Sequence, residues 1–263
     1  MAMKIDKEAY LKRKEVEASE AKVFQRESFC YTCFRLEKNC LCHLIKPFVT
    51  KTHFVLLMHP MEAKKEKMGT GRLSKAMLNN SQIIIGVDFS EDSEVNALIN
   101  DPRNACMVLY PGEKAINVSS DDVSSLKEIS TNKRMVLFLI DGTWPCAKKM
   151  MKISKNIQAL PRVSFTATHQ SLFVIKEQPA DYCLSTLESI HFYLSELDRR
   201  GVESLDHKQD NMIDVFKSMV EFQIECAKNP ELPSYRKSKS GYSDKTERAK
   251  SKKWGTRRII HRD

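Results

Sequence analysis

The sequence predicts an α/β protein built on a mostly parallel sheet, and three observations carry that reading. Four apolar runs, 53–58 (HFVLLM), 82–88 (QIIIGVD), 105–110 (ACMVLY) and 135–141 (MVLFLID), are nearly continuous in Val, Ile, Leu and Met, as strands covered on both faces must be. Helical candidates around 72–80, 93–100 and 121–130 separate them, the pattern of β-α-β crossovers. No internal repeat runs through the 263 residues, so one main domain is expected.

Taken in order, residues 1–26 are highly charged and predict a helix, with Tyr10, Leu11 and Val16 giving only a thin apolar stripe. Four cysteines fall between 30 and 42, and the four strands with their crossovers follow. Ser119, Ser120 and Asp121 are candidate caps for the third crossover helix. Pro145 suits the first turn of a helix over 145–159. Short strands are expected at 163–166 and 172–175. Leu184, Leu187, Ile190, Leu194 and Leu197 recur at helical spacing, as do Met212, Val215, Phe216, Met219, Val220 and Ile224. Pro230 and Pro233 close the folded part. The expected division is a charged helix (1–27), a cysteine-bearing extension (28–48), a main domain (49–230) and a basic tail (231–263).

Composition narrows the setting. With 41% hydrophobic and 29% charged residues the chain is ordinary for a globular protein. No window approaches the ~20 uncharged apolar residues of a bilayer span, and the first residues lack the apolar centre of a signal peptide. A cytoplasmic protein without a membrane partner is expected, and there the eight cysteines are better read as ligands, core fillers or reactive groups than as disulfides. Residues 234–263 hold eleven Lys or Arg against three acidic residues, so all but one unit of the formal charge of +9 lies there. A basic, poorly apolar tail is attracted to a polyanion, and nucleic acid is the commonest in a cytosol. Lys252, Lys253, Arg257 and Arg258 are candidate RNA contacts in it.

Cys30, Cys33, Cys40 and Cys42 form Cys-x2-Cys-x6-Cys-x-Cys. Two close pairs joined by a short loop let four soft ligands converge on a tetrahedral zinc ion, and a closed set of four makes the site structural. His43 is an alternative fourth ligand. Cys106, Cys146, Cys183 and Cys226 read as core residues.

Four segments sit at the carboxyl ends of predicted strands or open a helix, where open parallel sheets bind their ligands. Gly69-Thr70-Gly71-Arg72 offers a tight turn, backbone N–H groups and a cation. Tyr110-Pro111-Gly112 offers a ring, Asp141-Gly142-Thr143-Trp144-Pro145 a strand-end carboxylate, and Leu184-Ser185-Thr186-Leu187-Glu188 hydroxyls, although Ser185 with Glu188 also fits a capping box.

Together with the cysteine cluster and His59-Pro60, these segments resemble the DTW-domain family, named for the Asp-x-Thr-Trp motif that here is Asp141-Gly142-Thr143-Trp144. The resemblance covers roughly residues 28–200 and continues through Ala147-Lys148-Lys149-Met150. It implies a fold similar to the SPOUT-type methyltransferases, whose sheet ends in a knotted pocket, here between 135 and about 190. Knots are otherwise avoided, so residue pattern alone does not support one. The implied activity is tRNA-uridine aminocarboxypropyl transfer, in which S-adenosyl-L-methionine donates its 3-amino-3-carboxypropyl group to uridine N3. The modified uridine would lie in the variable loop or the D-loop. Asp141 is then the general base or the group that orients N3–H, and Thr143 positions that carboxylate or the uracil. Trp144 either stacks on a base or packs beneath the turn.

Arg72 is the partner expected for the donor's carboxylate. Thr70, Gly71, Tyr110, Pro111, Leu184, Ser185 and Thr186 complete the donor pocket on this reading, and Lys148 and Lys149 meet tRNA phosphates. Two alternatives remain: methyl transfer to RNA, and a zinc-containing RNA-binding protein without catalysis. No motif sets an oligomeric state; a monomer is compatible with the sequence.

Overall fold

The computed structural model describes Lys12 and residues 29–33, 35–65, 69–174 and 183–228. Six strands make one all-parallel sheet: β3 (His53–Met58), β4 (Ser81–Ile85), β5 (Asn104–Leu109), β6 (Ile116–Asn117), β7 (Arg134–Asp141) and β8 (Arg162–Ser164), in the order β4-β3-β7-β5-β8-β6. The strands with the longest buried runs, β3 and β7, lie side by side, paired from His53↔Val136 to Met58↔Asp141. Between the strands run α1 (Pro60–Lys65), α2 (Thr70–Met77), α3 (Ser93–Asn100), α4 (Ser124–Asn132), α5 (Trp144–Ile153) and α6 (Lys155–Gln158); α7 (Thr186–Arg199) and α8 (Asp210–Lys228) follow.

Side chains alternate across a strand, and here that alternation builds two cores. Phe54, Leu56, Leu137 and Leu139 face one way, into a core shared with Leu73 and Met77 of α2, Leu187 and Tyr193 of α7, and Met212 and Phe216 of α8. Val55, Leu57, Val136 and Phe138 face the other, against Val95 of α3, Met150 and Met151 of α5 and Ile157 of α6. The sheet is thus covered on both faces, as its unbroken apolar runs require.

Ahead of the sheet, β1 (Phe29–Cys30) and β2 (Arg35–Leu36) form an antiparallel hairpin. The segment after it docks on α8 by two bonds, Lys46 N–H to Asn211 Oδ1 (2.8 Å) and Asn211 Nδ2 to the Leu44 carbonyl (3.1 Å).

The expected strand at 172–175 does not form over 172–174, and residue 175 lies outside the described residues. The Leu172 N–H donates to Glu188 Oε1 (2.7 Å) and the Phe173 N–H to Ser171 Oγ (3.1 Å), so neither reaches a neighbouring strand. The expected helix over 145–159 breaks at Ser154, whose buried hydroxyl accepts from the Phe89 N–H (3.1 Å). The third crossover helix opens at Ser124, and its candidate caps act elsewhere: Asp121 accepts from the Asn117 N–H (2.8 Å) and the Ser119 hydroxyl donates to nothing in that helix but accepts from the Thr166 N–H (3.0 Å). Except for Lys12, the expected N-terminal helix lies outside the described residues, as do the basic tail and residues 175–182 of the expected knot. Among the described residues no helix is long and apolar enough to cross a membrane.

Candidate active site and metal centre

Asp141 is the last residue of the central strand β7, and its side chain is only 5% exposed. Its backbone carbonyl accepts from the His59 N–H (2.8 Å), locking the end of β3 to the end of β7. Its Oδ1 accepts a hydrogen bond from the Thr186 hydroxyl at 2.6 Å, a link from the first residue of α7 across 45 positions of chain. The other side of the carboxylate lies against Gly71 at the start of α2, where an added Cβ would stand 2.8 Å from Asp141 Cγ. Only glycine allows that approach.

Arg72 adjoins this point. Its Nη2 donates to the Ala63 carbonyl at 3.0 Å. Burial pushes its pKa down while the charge of Asp141 pushes it up, so the two residues share one field. Asp141, Gly71, Arg72 and Thr186 therefore meet, although three separate segments carry them. Thr70 is buried at the opening of α2, its carbonyl accepting from Ser74 Oγ (2.9 Å).

The rest of the motif turns outward. Thr143 is exposed at the N-cap position of α5 without a side-chain cap, and Trp144 is half-buried as the first helical residue. Lys148, Lys149 and Lys152 are exposed on α5, and Lys155 is exposed at the start of α6. From Gly142 to Lys176 the chain has no Asp or Glu, so the formal charges along that run are all positive.

On the other flank of β7, Tyr110 directly follows β5 with its ring under the Arg162 guanidinium (5.5 Å to the centroid). Burial raises its phenol pKa, and the charge of Arg162 opposes that. Pro111 is exposed beside it. Leu184 is half-buried. Ser185 caps α7, its hydroxyl accepting from the Glu188 N–H (3.3 Å) while Glu188 Oε2 accepts from the Ser185 N–H (2.9 Å). Glu188 also takes the Ser171 hydroxyl and the Leu172 N–H, both at 2.7 Å.

Two contributors are absent from the sequence-derived site: His59 and Glu188. The His59 Nδ1 accepts from the Met61 N–H (3.2 Å), which leaves Nε2 as the N–H of the neutral ring. A His-Pro pair at a strand end was the available signal for the first. For Glu188 there was only the capping-box spacing.

Cys30, Cys33, Cys40 and Cys42 bring their sulfurs within 4.8 Å of one another. The pairs Cys30–Cys42 and Cys33–Cys40 stand 3.6 and 3.7 Å apart. Thiolates held ~2.3 Å from a tetrahedral zinc ion are separated by roughly 3.8 Å, so the cluster can hold such an ion with little adjustment. His43 is exposed and stands outside the group. Backbone N–H groups of Cys33 and Thr32 bring the Cys30 thiol down to about 6, while burial pushes Cys42 up.

Comparison with known proteins shows what the chain is similar to. A family model described as the DTW domain matches residues 27–224. The tRNA-uridine aminocarboxypropyltransferase 2 of Mus musculus is 29% identical over 205 residues, covering 76% of this chain and 65% of that protein. Its counterpart in Macaca fascicularis is 27% identical over 204 residues, with the same two coverages. The tRNA-uridine aminocarboxypropyltransferase A of Arabidopsis thaliana is 27% identical over 225 residues, covering 77% of this chain and 83% of the relative. The match thus spans just under two thirds of the mammalian proteins' length. No solved structure matches the chain.

Proposed function

This chain belongs to the DTW-domain family, and from that premise we propose that it transfers the 3-amino-3-carboxypropyl group of S-adenosyl-L-methionine to N3 of a tRNA uridine. The N3–Cγ bond forms as the Cγ–S bond breaks, the N3 proton is lost, and methylthioadenosine leaves. The relatives' names support the reaction class. The observation that carries the reading within the molecule is the buried Asp141, gripped by Thr186 and Gly71 at the carboxyl ends of the central strands.

A sulfonium activates three adjacent carbons, so the enzyme's task is to choose which one faces the nucleophile. Near-attack placement, at ~3–3.5 Å, makes that choice. Asp141 serves it as an anion aimed at the N3–H edge, either taking the proton or orienting it. The hydroxyl of Thr186 and the field of Arg72 already engage this carboxylate, an arrangement suited to holding and aiming a charge. Arg72 lies where it can also meet the donor's carboxylate, and Tyr110, Pro111 and Leu184 form the adenosine side. Thr143 and Trp144 are presented to the RNA. The exposed lysines of α5 and α6, continuous with a stretch free of acidic residues, suit its phosphates. The cysteine cluster holds structural zinc, and the protein acts in the cytoplasm.

The test uses tRNA and two donors, one labelled at the methyl carbon and one at the carboxyl carbon. Carboxyl label entering tRNA, with methyl label leaving in methylthioadenosine, is expected. Methyl label entering without carboxyl label would make the protein a methyltransferase, and tRNA binding without either label would make it a binding protein.

A further inference from the structure

Arg35 lies on β2, two residues beyond Cys33, and is 4% exposed. Its Nη2 donates to the thioether of Met219 in α8 at 2.8 Å, a weak and uncharged acceptor. Its Nε and Nη1 are buried and meet no acceptor among the described residues. A guanidinium keeps its charge in proteins, so burying one with two donors unmet is unfavourable unless an anion stands beside it. The groups whose charge acts on it are Cys33, Cys42 and Cys40. As neutral thiols these offer little. Around a divalent metal ion all four cysteines are thiolates, and the centre as a whole is doubly negative.

We propose that Arg35 is the counter-ion of the metal–thiolate centre. Its two inner N–H groups face the ligand sulfurs, and its Nη2 fastens the centre to α8 at Met219. The orphaned donors call for an anion and the four soft ligands for a cation, and one bound ion satisfies both by turning the thiols into thiolates beside the guanidinium. Two consequences follow from the chemistry. Groups that hydrogen-bond to metal ligands raise the site's affinity, so removing Arg35 weakens metal binding. Conversely, removing the metal leaves a buried cation unpaired where the hairpin meets α8, so metal loss loosens that helix.

Both are measured on the full-length zinc-loaded protein, by competition with a chromogenic chelator and by amide hydrogen exchange. Arg35→Met is expected to weaken zinc binding about 10–100-fold, and Arg35→Lys, which keeps the charge without the fork, less. Met219→Leu keeps the arginine and should leave zinc affinity unchanged. In the wild type, chelation should speed exchange in α8 around Met219, and Arg35→Met should blunt that response. Unchanged zinc affinity in Arg35→Met overturns the proposal. So does a loss in Met219→Leu as large as that in Arg35→Met, which would assign the effect to packing. A protein that takes up no divalent metal overturns it as well. If Arg35→Met fails to fold, Arg35→Gln, neutral but still polar, is read against the same outcomes. None of these readouts depends on the transfer reaction.

Discussion

The carboxylate of Asp141 is confined from two sides, and each side can be removed singly. Asp141→Asn keeps the shape and removes the charge; turnover should fall by about 100-fold or more, since positioned acid–base groups contribute 10²–10⁴, with the unfolding midpoint little changed. Thr186→Val removes the 2.6 Å bond to Oδ1 and should lower kcat more than it raises the donor KM, with Thr186→Ser restoring activity. Equal loss in the Ser variant would mean that the hydroxyl is irrelevant. Gly71→Ala drives a methyl group into Asp141 and should destabilise the fold by about 1–3 kcal/mol as well as impair turnover, measured by urea unfolding and labelled-donor assay. Two histidines set a pH dependence of stability. Burial lowers the pKa of both His53 and His191 from the ordinary 6.5. The unfolded chain therefore takes up their protons first, and stability falls as pH drops below about 6.5. Urea midpoints at pH 7.5, 6.5 and 5.5 should decline, and His191→Phe should flatten the decline; the exposed carboxylates act only at lower pH.

Elements end where a side chain redirects their backbone. Ser154 ends α5 because its hydroxyl serves Phe89, and 172–174 stays irregular because Glu188 and Ser171 take its N–H groups. The same Glu188 completes the cap of α7, which sets Thr186 one residue inside the helix and next to Asp141. Ser185→Ala should cost about 1 kcal/mol, the usual worth of a cap. Glu188→Ala leaves two N–H groups and a hydroxyl without their acceptor, so a larger loss, about 2–3 kcal/mol, is expected. Equal losses from the two variants in urea unfolding would show that Glu188 does no more than cap.

At the scale of the whole molecule, most of the net charge lies in the sequence after residue 233, away from the motifs along the chain. Removing residues 234–263 takes away eleven cations, and binding of tRNA should weaken while its dependence on salt becomes shallower, by about 0.7–0.9 in log–log slope per lost phosphate contact. Donor affinity should not change. An unaltered slope would place the tail outside the RNA interface. Lys148→Glu with Lys149→Glu should weaken tRNA binding in the same way, because both are exposed on α5 close to the Asp-x-Thr-Trp turn.

By itself the sequence determined what depends on local order and on burial. The unbroken apolar runs demanded strands covered on both faces, and β3 runs over the expected 53–58 with β7 extending its expected run by one residue, to 134. The cysteine spacing likewise brought four sulfurs together, since short loops leave few other arrangements. Tertiary structure decided what depends on contacts between distant segments. That Thr186 hydrogen-bonds Asp141, that Gly71 is the space its carboxylate fills, and that Arg35 lies buried between the cysteines and α8 could not be read from spacing. A side chain's partner across 45 or 184 residues is set by how the layers pack, and periodicity carries no information about that.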